Sequence, residues 1–194
     1  MRKEIAYDKA EWHFNGNNYP ADLPMENSYT HIAFFLRWCI ENDFINPAEF
    51  SEQALEKISL IKKGLFDCRE FLIKWIDGCL LSCLLNMAGQ EFADNYYDND
   101  KSRLKNKLKH WTFYYLDDFW HYQKTKKMTY TKVHQKGAIY SVENTEHNYQ
   151  AIKKLIDKRY KIFLDMKSGK IGNSSLQSLF SGIGINWDFF KRKK

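Results

Sequence analysis

The side chains of this sequence best suited to metal or acid–base chemistry are its six histidines: His13, His31, His110, His121, His134 and His147. Two histidines on one helix face can share a metal ion when they lie three or four positions apart, as in a His-Glu-x-x-His motif. No pair in this sequence has that spacing. We therefore expect histidines at the surface or at helix caps, with no metal and no cofactor. A site assembled from separate segments is the alternative that spacing leaves open.

The carboxylates form two clusters that could also do chemistry. Asp117 and Asp118 are neighbours, so on a helix they diverge by about 100° and do not converge on one atom. We interpret them as partners of nearby lysines rather than as an acid–base pair. Asp94, Asp98 and Asp100 have the composition of a cation-binding loop but lack the alternate spacing and the distal Glu of a calcium loop. They are interpreted as a surface helix end.

Other catalytic patterns are missing from the sequence. It contains neither a glycine-rich phosphate loop nor a Gly-x-Ser-x-Gly elbow. The four cysteines lie in or beside apolar segments and form no Cys-x-x-Cys pair: Cys39, Cys68, Cys79 and Cys83. Free core thiols are expected, because apolar surroundings raise the pKa of a thiol and suppress its reactivity. With no catalytic residue identified, the sequence predicts a binding protein rather than an enzyme.

Apolar periodicity predicts the helices that must position these side chains. Ile32, Phe35 and Cys39 share one face, which predicts a helix from near His31 to near Asn42, with Thr30 or Ser28 as its cap. Further helices are predicted around Leu55–Ile61 with Gly64 as the stop, over Phe66–Ile76, after Asn86 as a cap, over Ser102–Tyr122 and after Thr145 as a cap. Asp77-Gly78 predicts a turn.

The remaining segments complete the predicted fold, which is mainly α. Residues 1–27 contain Pro20 and Pro24 and are expected to be irregular. β-branched and aromatic residues over Thr129–Val142 predict a small hairpin or strand. We expect residues 1–166 to form one helical, bundle-like domain. Residues 167–194 are expected to form a Gly/Ser-rich extension that docks on it and has a basic end.

Composition places the chain among folded proteins. It has 194 residues, of which 44% are hydrophobic and 28% charged, which argues against a disordered chain. No apolar run approaches the ~18 residues of a membrane span. The first residues, Met1-Arg2-Lys3-Glu4, lead into more charged positions rather than into a signal-peptide core. We expect a cytoplasmic protein that does not contact membranes.

Charge changes sign along the chain. Residues 1–100 contain 17 Asp and Glu against 9 Lys and Arg, whereas residues 101–136 contain 10 Lys and Arg against 2 acidic residues. A pI near 9.0 alone would suggest a nucleic-acid partner. The acidic first half would repel phosphate, so we favour protein recognition. Nucleic-acid binding through residues 101–136 and the basic end is the alternative.

Several motifs resemble a bacterial domain family of unknown function. They are Tyr7-Asp8-x-Ala10-Glu11-Trp12-His13, Tyr19-Pro20-x-Asp22-Leu23-Pro24, Thr30-His31-Ile32 with Leu36-x-Trp38, Gly89-x-x-Phe92-Ala93-x-x-Tyr96-Tyr97, Tyr115-Leu116-x-Asp118, Tyr140-x-Val142-Glu143-x-Thr145-x-x-Asn148-Tyr149, and Asp157-x-Arg159-Tyr160. The resemblance covers about Tyr7 to Leu164. Such domains look like those encoded beside polymorphic toxins of contact-dependent or type VI secretion systems. The resemblance therefore implies an immunity protein.

An immunity protein of this kind would bind a cognate toxin domain, encoded by a neighbouring gene, and occlude its active site. The acidic first half could fill a cationic cleft by mimicking phosphate charge. The residues expected near the contact surface are Glu11, Trp12, His13, Asp22, Tyr97 and Asp98. For Trp12 and His13 the alternative is that they only pin the N-terminal segment to the core. The other alternative function is an enzyme with a split histidine site that reverses a toxin's modification. The oligomeric state stays open.

Overall fold

The computed structural model describes residues 4–98, 108, 111–124 and 138–170. The described part is mainly helical with a small antiparallel sheet of two strands, which confirms the predicted fold class. The predicted division into residues 1–166 and an extension is not tested, because residues 171–194 lie outside the described part. No helix in the described ranges combines the length and the apolar character needed to cross a bilayer.

The sheet joins β1 (Ala6–Lys9) to β2 (Cys79–Leu81). Ala6 pairs with Leu81 and Asp8 pairs with Leu80, so the register shifts between them. Such a bulge breaks the alternation of side chains between the two faces. As a result Tyr7 and Asp8, although consecutive, are both buried.

This sheet is not where the sequence predicted its β element. Within the predicted stretch, residues 129–137 lie outside the described part, and Ala138–Ser141 forms a 3-10 helix. The N-terminal segment is also more regular than expected, because β1 runs directly into a short helix, α1 (Ala10–Phe14). β1 was not predicted, because the periodicity of four residues is too short to assign a strand that pairs with a distant segment.

The central element is α2 (Thr30–Glu41), whose predicted extent is confirmed. Ten of its twelve residues are buried, as expected for a helix surrounded by the core. The predicted cap is wrong, because a 3-10 helix (Met25–Tyr29) leads straight into α2 and Tyr29 makes no side-chain cap. Ser28 instead donates to the carbonyl of Met25 at 2.7 Å.

The other helices surround α2. They are α3 (Glu52–Lys62), α4 (Cys68–Trp75), α5 (Met87–Tyr96), α6 (Tyr115–Lys124) and α7 (Glu146–Lys167). Asn86 caps α5 and Thr145 caps α7 through their side-chain oxygens, which confirms both predicted caps. Gly64, with φ of +72°, follows α3 as its predicted stop.

The predicted helix over Ser102–Tyr122 is wrong where the structure describes its first part, and residues 102–107, 109 and 110 lie outside the described part. Trp111–Tyr114 is not helical, and α6 begins only at Tyr115. Trp111 and Phe113 are nevertheless buried, and the Trp111 indole N–H donates to the Phe113 carbonyl at 2.9 Å. Their apolar spacing therefore reflects burial of a non-helical segment on the core, which periodicity alone cannot distinguish from a helix face.

The turn at Asp77-Gly78 confirms another prediction and holds α1 against the 3-10 helix. Gly78 has φ of +67°, and its carbonyl accepts from the backbone N–H of Ala10 at 3.0 Å. A Cβ on Gly78 would lie 2.6 Å from a ring carbon of Tyr29. Only glycine satisfies both the backbone angle and this close approach.

Candidate functional site

Three polar side chains from β1, α1 and α2 meet below the surface. They are Asp8, His13 and His31. The bulge in β1 turns Asp8 inward, and α1, which starts two residues later, returns His13 to the same point. His31 comes from the first turn of α2 and is completely buried. Residues far apart in the sequence thus form one cluster, which we call the Asp8–His31 cluster.

The ligand atoms of this cluster are close together. His13 Nε2 lies 2.7 Å from Asp8 Oδ1 and 3.1 Å from His31 Nε2. His31 Nε2 lies 3.3 Å from Asp8 Oδ2. The two imidazole rings are nearly perpendicular, at 83°, with centroids 4.4 Å apart. The three side chains therefore direct Lewis-basic atoms at one small volume.

An outer layer of hydroxyl and amide groups orients the cluster. Tyr97 donates to Asp8 Oδ2 at 2.7 Å, and the Lys9 backbone N–H donates to Asp8 Oδ1 at 2.8 Å. The Tyr140 hydroxyl lies 2.9 Å from His13 Nδ1, and Asn27 fixes Tyr140 by donating to its carbonyl. The cluster is thus held from several elements.

The protonation states follow from the surroundings. Burial opposes ionisation of Asp8, but hydrogen bonds from the two histidines outweigh burial and hold its pKa well below the usual range. Burial, aided by the charge of His13, lowers the pKa of His31 to about 4. At neutral pH the cluster therefore contains a carboxylate and a neutral His31 imidazole.

Hydrogen bonding within the cluster leaves one buried atom without a partner. A neutral imidazole has one N–H and one lone pair. If the His13 Nε2–H donates to Asp8, that nitrogen has no lone pair left for an N–H of His31. Whichever nitrogen of His31 has the proton, its Nδ1 is buried with no hydrogen-bond partner in the described residues. Such an atom costs free energy unless another group satisfies it.

The structure does not gather the six predicted contact residues on one surface. Glu11, Trp12 and Asp22 are exposed. Tyr97 and Asp98 are buried, so neither presents its side chain at the surface. His13 is half-buried in the Asp8–His31 cluster, in agreement with its alternative role of pinning the N-terminal segment. Contact of any of the six with a partner stays a prediction.

Other sequence interpretations are corrected here. Asp94 and Asp98 do not form a surface helix end, because both are buried, and Asp94 accepts from the Tyr7 hydroxyl at 2.7 Å. Asp118 pairs with Arg159 rather than with a nearby lysine. Cys39 and Cys68 are buried free thiols as expected, whereas Cys79 and Cys83 are partly exposed.

The histidine interpretation is only partly right. His121 and His147 are exposed, as expected, and His110 and His134 lie outside the described residues. His13 and His31 are neither surface nor capping residues. Spacing missed them because they are 18 positions apart and meet through tertiary packing. The signal that could have found them is their position, with Asp8, in the first and third resemblance motifs.

A second polar site is a cleft of about 290 Å³ beside the start of α7. Its lining includes Arg37, Asp67, Asn144, Glu146 and Tyr149. Arg37 forms an ion pair with Glu146 and lies over the Tyr149 ring, and Asn144 donates to Asp67. These two pairs occupy four of the polar side chains that line the cleft.

Comparison with known proteins gives one family. A family described as a domain of unknown function (DUF7832) matches residues 6–136. The match includes Asp8, His13 and His31. No curated protein and no solved structure matches the chain.

Proposed function

This chain belongs to the DUF7832 family of unknown function, and from that premise we propose that it is a cytoplasmic immunity protein. In this proposal it binds a cognate antibacterial toxin, encoded by a neighbouring gene and delivered by a type VI or related secretion system. It neutralises the toxin by occluding the active site. The proposal rests on the motif resemblance and on the surface around α1.

The observation that carries the proposal is an exposed tryptophan. Trp12 on α1 is 56% exposed, and the Lys9 ammonium lies 5.8 Å from the centroid of its ring. Tryptophan is enriched among the residues that dominate binding energy in protein interfaces. The exposed indole of Trp12 is therefore suited to contribute strongly to binding a protein partner, and we call it the anchor.

Exposed carboxylates lie on α1 and on the segments that contact it. Glu11 is next to Trp12, and Glu26 belongs to the 3-10 helix that packs on α1. Asp77 precedes Gly78, whose carbonyl accepts from the Ala10 backbone N–H at the start of α1. We call the surface formed by Glu11, Trp12, Glu26 and Asp77 the Trp12 face.

The Trp12 face fits a cationic partner. Residues 4–98 contain sixteen Asp and Glu against seven Lys and Arg. An acidic surface attracts a cleft built to bind phosphate or nucleic acid, speeds the encounter and discriminates against acidic partners. A tryptophan anchor on a surface with exposed carboxylates would combine binding energy with this selectivity.

The helix that bears Trp12 is also fixed at both ends by hydrogen bonds. α1 is fixed at its start by the hydrogen bond from Ala10 to Gly78 and near its end by the contacts of His13 with Asp8 and Tyr140. A surface that is already ordered loses little conformational entropy on binding. The Trp12 face is therefore preorganised for binding.

The experiment is co-expression with the C-terminal domain of the toxin encoded beside this gene, scored by pull-down and by rescue of growth. We expect a complex and rescue with the natural chain. Trp12→Ala should weaken the complex about tenfold or more, as for a central interface tryptophan. Trp120→Ala is the matched control, because Trp120 is also exposed, at 38%, but lies on α6.

Two results would contradict the proposal. The first is the absence of both a complex and rescue. The second is equal weakening by Trp12→Ala and Trp120→Ala, which would place the contact away from the Trp12 face. Glu11→Gln tests the charge contribution, and its effect should shrink as salt is raised, since salt screens exposed charges.

A second candidate function is an enzyme that reverses the toxin's modification of its target. The meeting of His13 and His31 favours it, because the chain does contain a histidine site assembled from separate segments. In that case rescue should need His13 but not a stable complex with the toxin. Rescue by a His13→Gln variant that still binds the toxin would count against the enzyme and for occlusion.

A further inference from the structure

We propose that Asp8, His13 and His31 bind a divalent transition-metal ion, of the zinc or ferrous-iron class, through the Asp8 carboxylate and two imidazole Nε2 atoms. This inference goes beyond the proposed immunity function and does not depend on it. It also differs from the sequence expectation of no metal, which considered histidine spacing along single helices.

The first argument is the spacing of the ligand atoms. Two ligands about 2.1 Å from an ion, at an angle of about 95–105°, are about 3.1–3.3 Å apart. The two Nε2 atoms are 3.1 Å apart, and His31 Nε2 is 3.3 Å from Asp8 Oδ2. The 2.7 Å between His13 Nε2 and Asp8 Oδ1 is shorter and would open by a few tenths of an ångström. The cluster is nearly the right size for one ion.

The second argument is charge. The Asp8 side chain is 6% exposed, and within the described residues no lysine or arginine forms a salt bridge with it. Buried charges in proteins are generally paired or coordinate a metal. A divalent cation would neutralise Asp8, for which the described residues supply two imidazole rings, the Tyr97 hydroxyl and the Lys9 backbone N–H.

The third argument is the outer layer. Histidines that bind metals usually hold a partner on the other ring nitrogen, and metal-binding carboxylates are themselves hydrogen-bonded. Tyr140 lies at His13 Nδ1, and Tyr97 and the Lys9 backbone N–H donate to Asp8. These contacts direct His13 Nε2 and the Asp8 carboxylate into the cluster, whereas His31 Nδ1 has no such partner in the described residues.

The fourth argument is the arrangement of protons. A metal ion takes both Nε2 lone pairs, so no proton is needed between the two rings, and the proton of each ring moves to Nδ1. This arrangement removes the conflict between two imidazole nitrogens 3.1 Å apart. Hydrogen bonds alone leave it in place.

The donor set selects the class of ion. Two imidazoles and one carboxylate suit zinc, ferrous iron and their neighbours, whereas magnesium and calcium prefer oxygen ligands throughout. Three protein ligands also leave at least one position for water or a further ligand. The ion would connect β1, α1 and α2 and so fasten the helix that bears Trp12.

The experiment measures metal binding directly on the full chain, prepared without a metal-affinity tag and stripped with a chelator. Zinc is titrated by calorimetry, and cobalt is added as a spectroscopic probe of coordination. We expect about one ion per chain and cobalt absorption bands in the visible. Magnesium at the same concentration should give no binding signal.

Variants locate the ion. His13→Gln should weaken zinc binding by more than about 100-fold, and Tyr140→Phe, which removes only an outer contact, by about 10-fold. His121→Gln is the matched control, because His121 is an exposed histidine on α6, and it should bind zinc as the natural chain does. His13 is only half-buried, so His13→Gln is expected to fold even if a variant of the fully buried His31, such as His31→Asn, does not.

Three results would overturn the proposal. One is the absence of zinc and cobalt binding by the natural chain. Another is undiminished binding by a folded His13→Gln variant. The third is an equal loss of binding in His13→Gln and His121→Gln, which would indicate adventitious binding at surface histidines. Failure of toxin binding would leave the metal proposal untouched, because its readouts do not involve a partner.

Discussion

Two carboxylates below the surface of this protein, the buried Asp8 and the half-buried Asp118, are stabilised in different ways. Asp118 on α6 accepts from Arg159 Nε at 2.6 Å and Nη2 at 2.7 Å, and from the Tyr96 hydroxyl at 2.9 Å. Asp8 faces two imidazoles and the Tyr97 hydroxyl. Each carboxylate thus has a tyrosine from the end of α5, but only Asp118 has a permanent cation.

The Asp118 carboxylate has a permanent countercharge in Arg159, although Arg159 Nη1 has no hydrogen-bond partner in the described residues. Arg159 is 1% exposed, and its guanidinium lies 3.8 Å from the centroid of the Phe113 ring. A guanidinium keeps its charge at every accessible pH and matches a carboxylate with two hydrogen bonds. This pair therefore connects α6 to α7 as a structural contact.

The Asp8–His31 cluster has no permanent countercharge among the described residues. Its countercharge must come from a proton on an imidazole or from an added cation, and both depend on conditions. The comparison teaches that burial of a carboxylate does not by itself indicate function. A buried carboxylate that faces titratable, metal-binding groups is the better candidate for a functional site.

The largest expected effect on the free energy of unfolding comes from breaking the ion pair between Asp118 and Arg159. Arg159→Leu leaves the half-buried Asp118 without its cation and should lower the free energy of unfolding by about 3 kcal/mol, measured by urea denaturation. The double variant Arg159→Leu with Asp118→Leu should recover much of that loss. A loss below about 1 kcal/mol would show that the Asp118 pair is no better than a surface ion pair.

A smaller effect on the free energy of unfolding is expected from pH, and it should come from His31 in the Asp8–His31 cluster. The folded-state pKa of His31 is about 4, below the value near 6.5 expected in the unfolded chain. The unfolded chain therefore binds more protons between these values, so stability falls as pH falls from about 7 to about 4.

With chelator present, the decrease in the free energy of unfolding between pH 7 and pH 5 should be roughly 1–2 kcal/mol. It is measured by urea denaturation at each pH. His31→Asn should flatten the profile, whereas Tyr96→Phe, a change beside Asp118, should not. An unchanged slope in a folded His31→Asn variant would contradict the assignment to His31.

The smallest effect is expected when each carboxylate loses the tyrosine hydroxyl that donates to it. Tyr97→Phe takes a donor from Asp8, and Tyr96→Phe takes one from Asp118. Because Asp118 keeps its guanidinium, we expect Tyr97→Phe to cost about 1 kcal/mol more in the free energy of unfolding than Tyr96→Phe. Thermal and urea denaturation of the two variants measure the difference, and equal costs would remove the distinction between the two sites.

Local patterns predicted the helices well where the chain is amphipathic and capped. The extent of α2 and the caps Asn86 and Thr145 were predicted correctly, because a cap and the first turn lie within four residues of each other. The pattern failed at Trp111–Tyr114, where buried aromatic residues imitate a helix face without forming one.

The candidate site was less accessible to prediction. Six histidines were considered as possible ligands, but helix spacing joined none of them. Asp8 was not singled out, because a buried aspartate after a bulge gives no local signal. The motifs of the resemblance contain Asp8, His13 and His31, so the information was present in the sequence without the geometry that connects it.

The sequence by itself determined the helical class of the fold, the positions of most helices and the charge imbalance between the two halves of the chain. These properties depend on composition and on contacts between residues a few positions apart. Only the tertiary structure decided which carboxylate meets Arg159 and which meets two histidines. That choice depends on the β1 bulge and on packing between distant segments, where a one-residue shift turns a side chain to the opposite face.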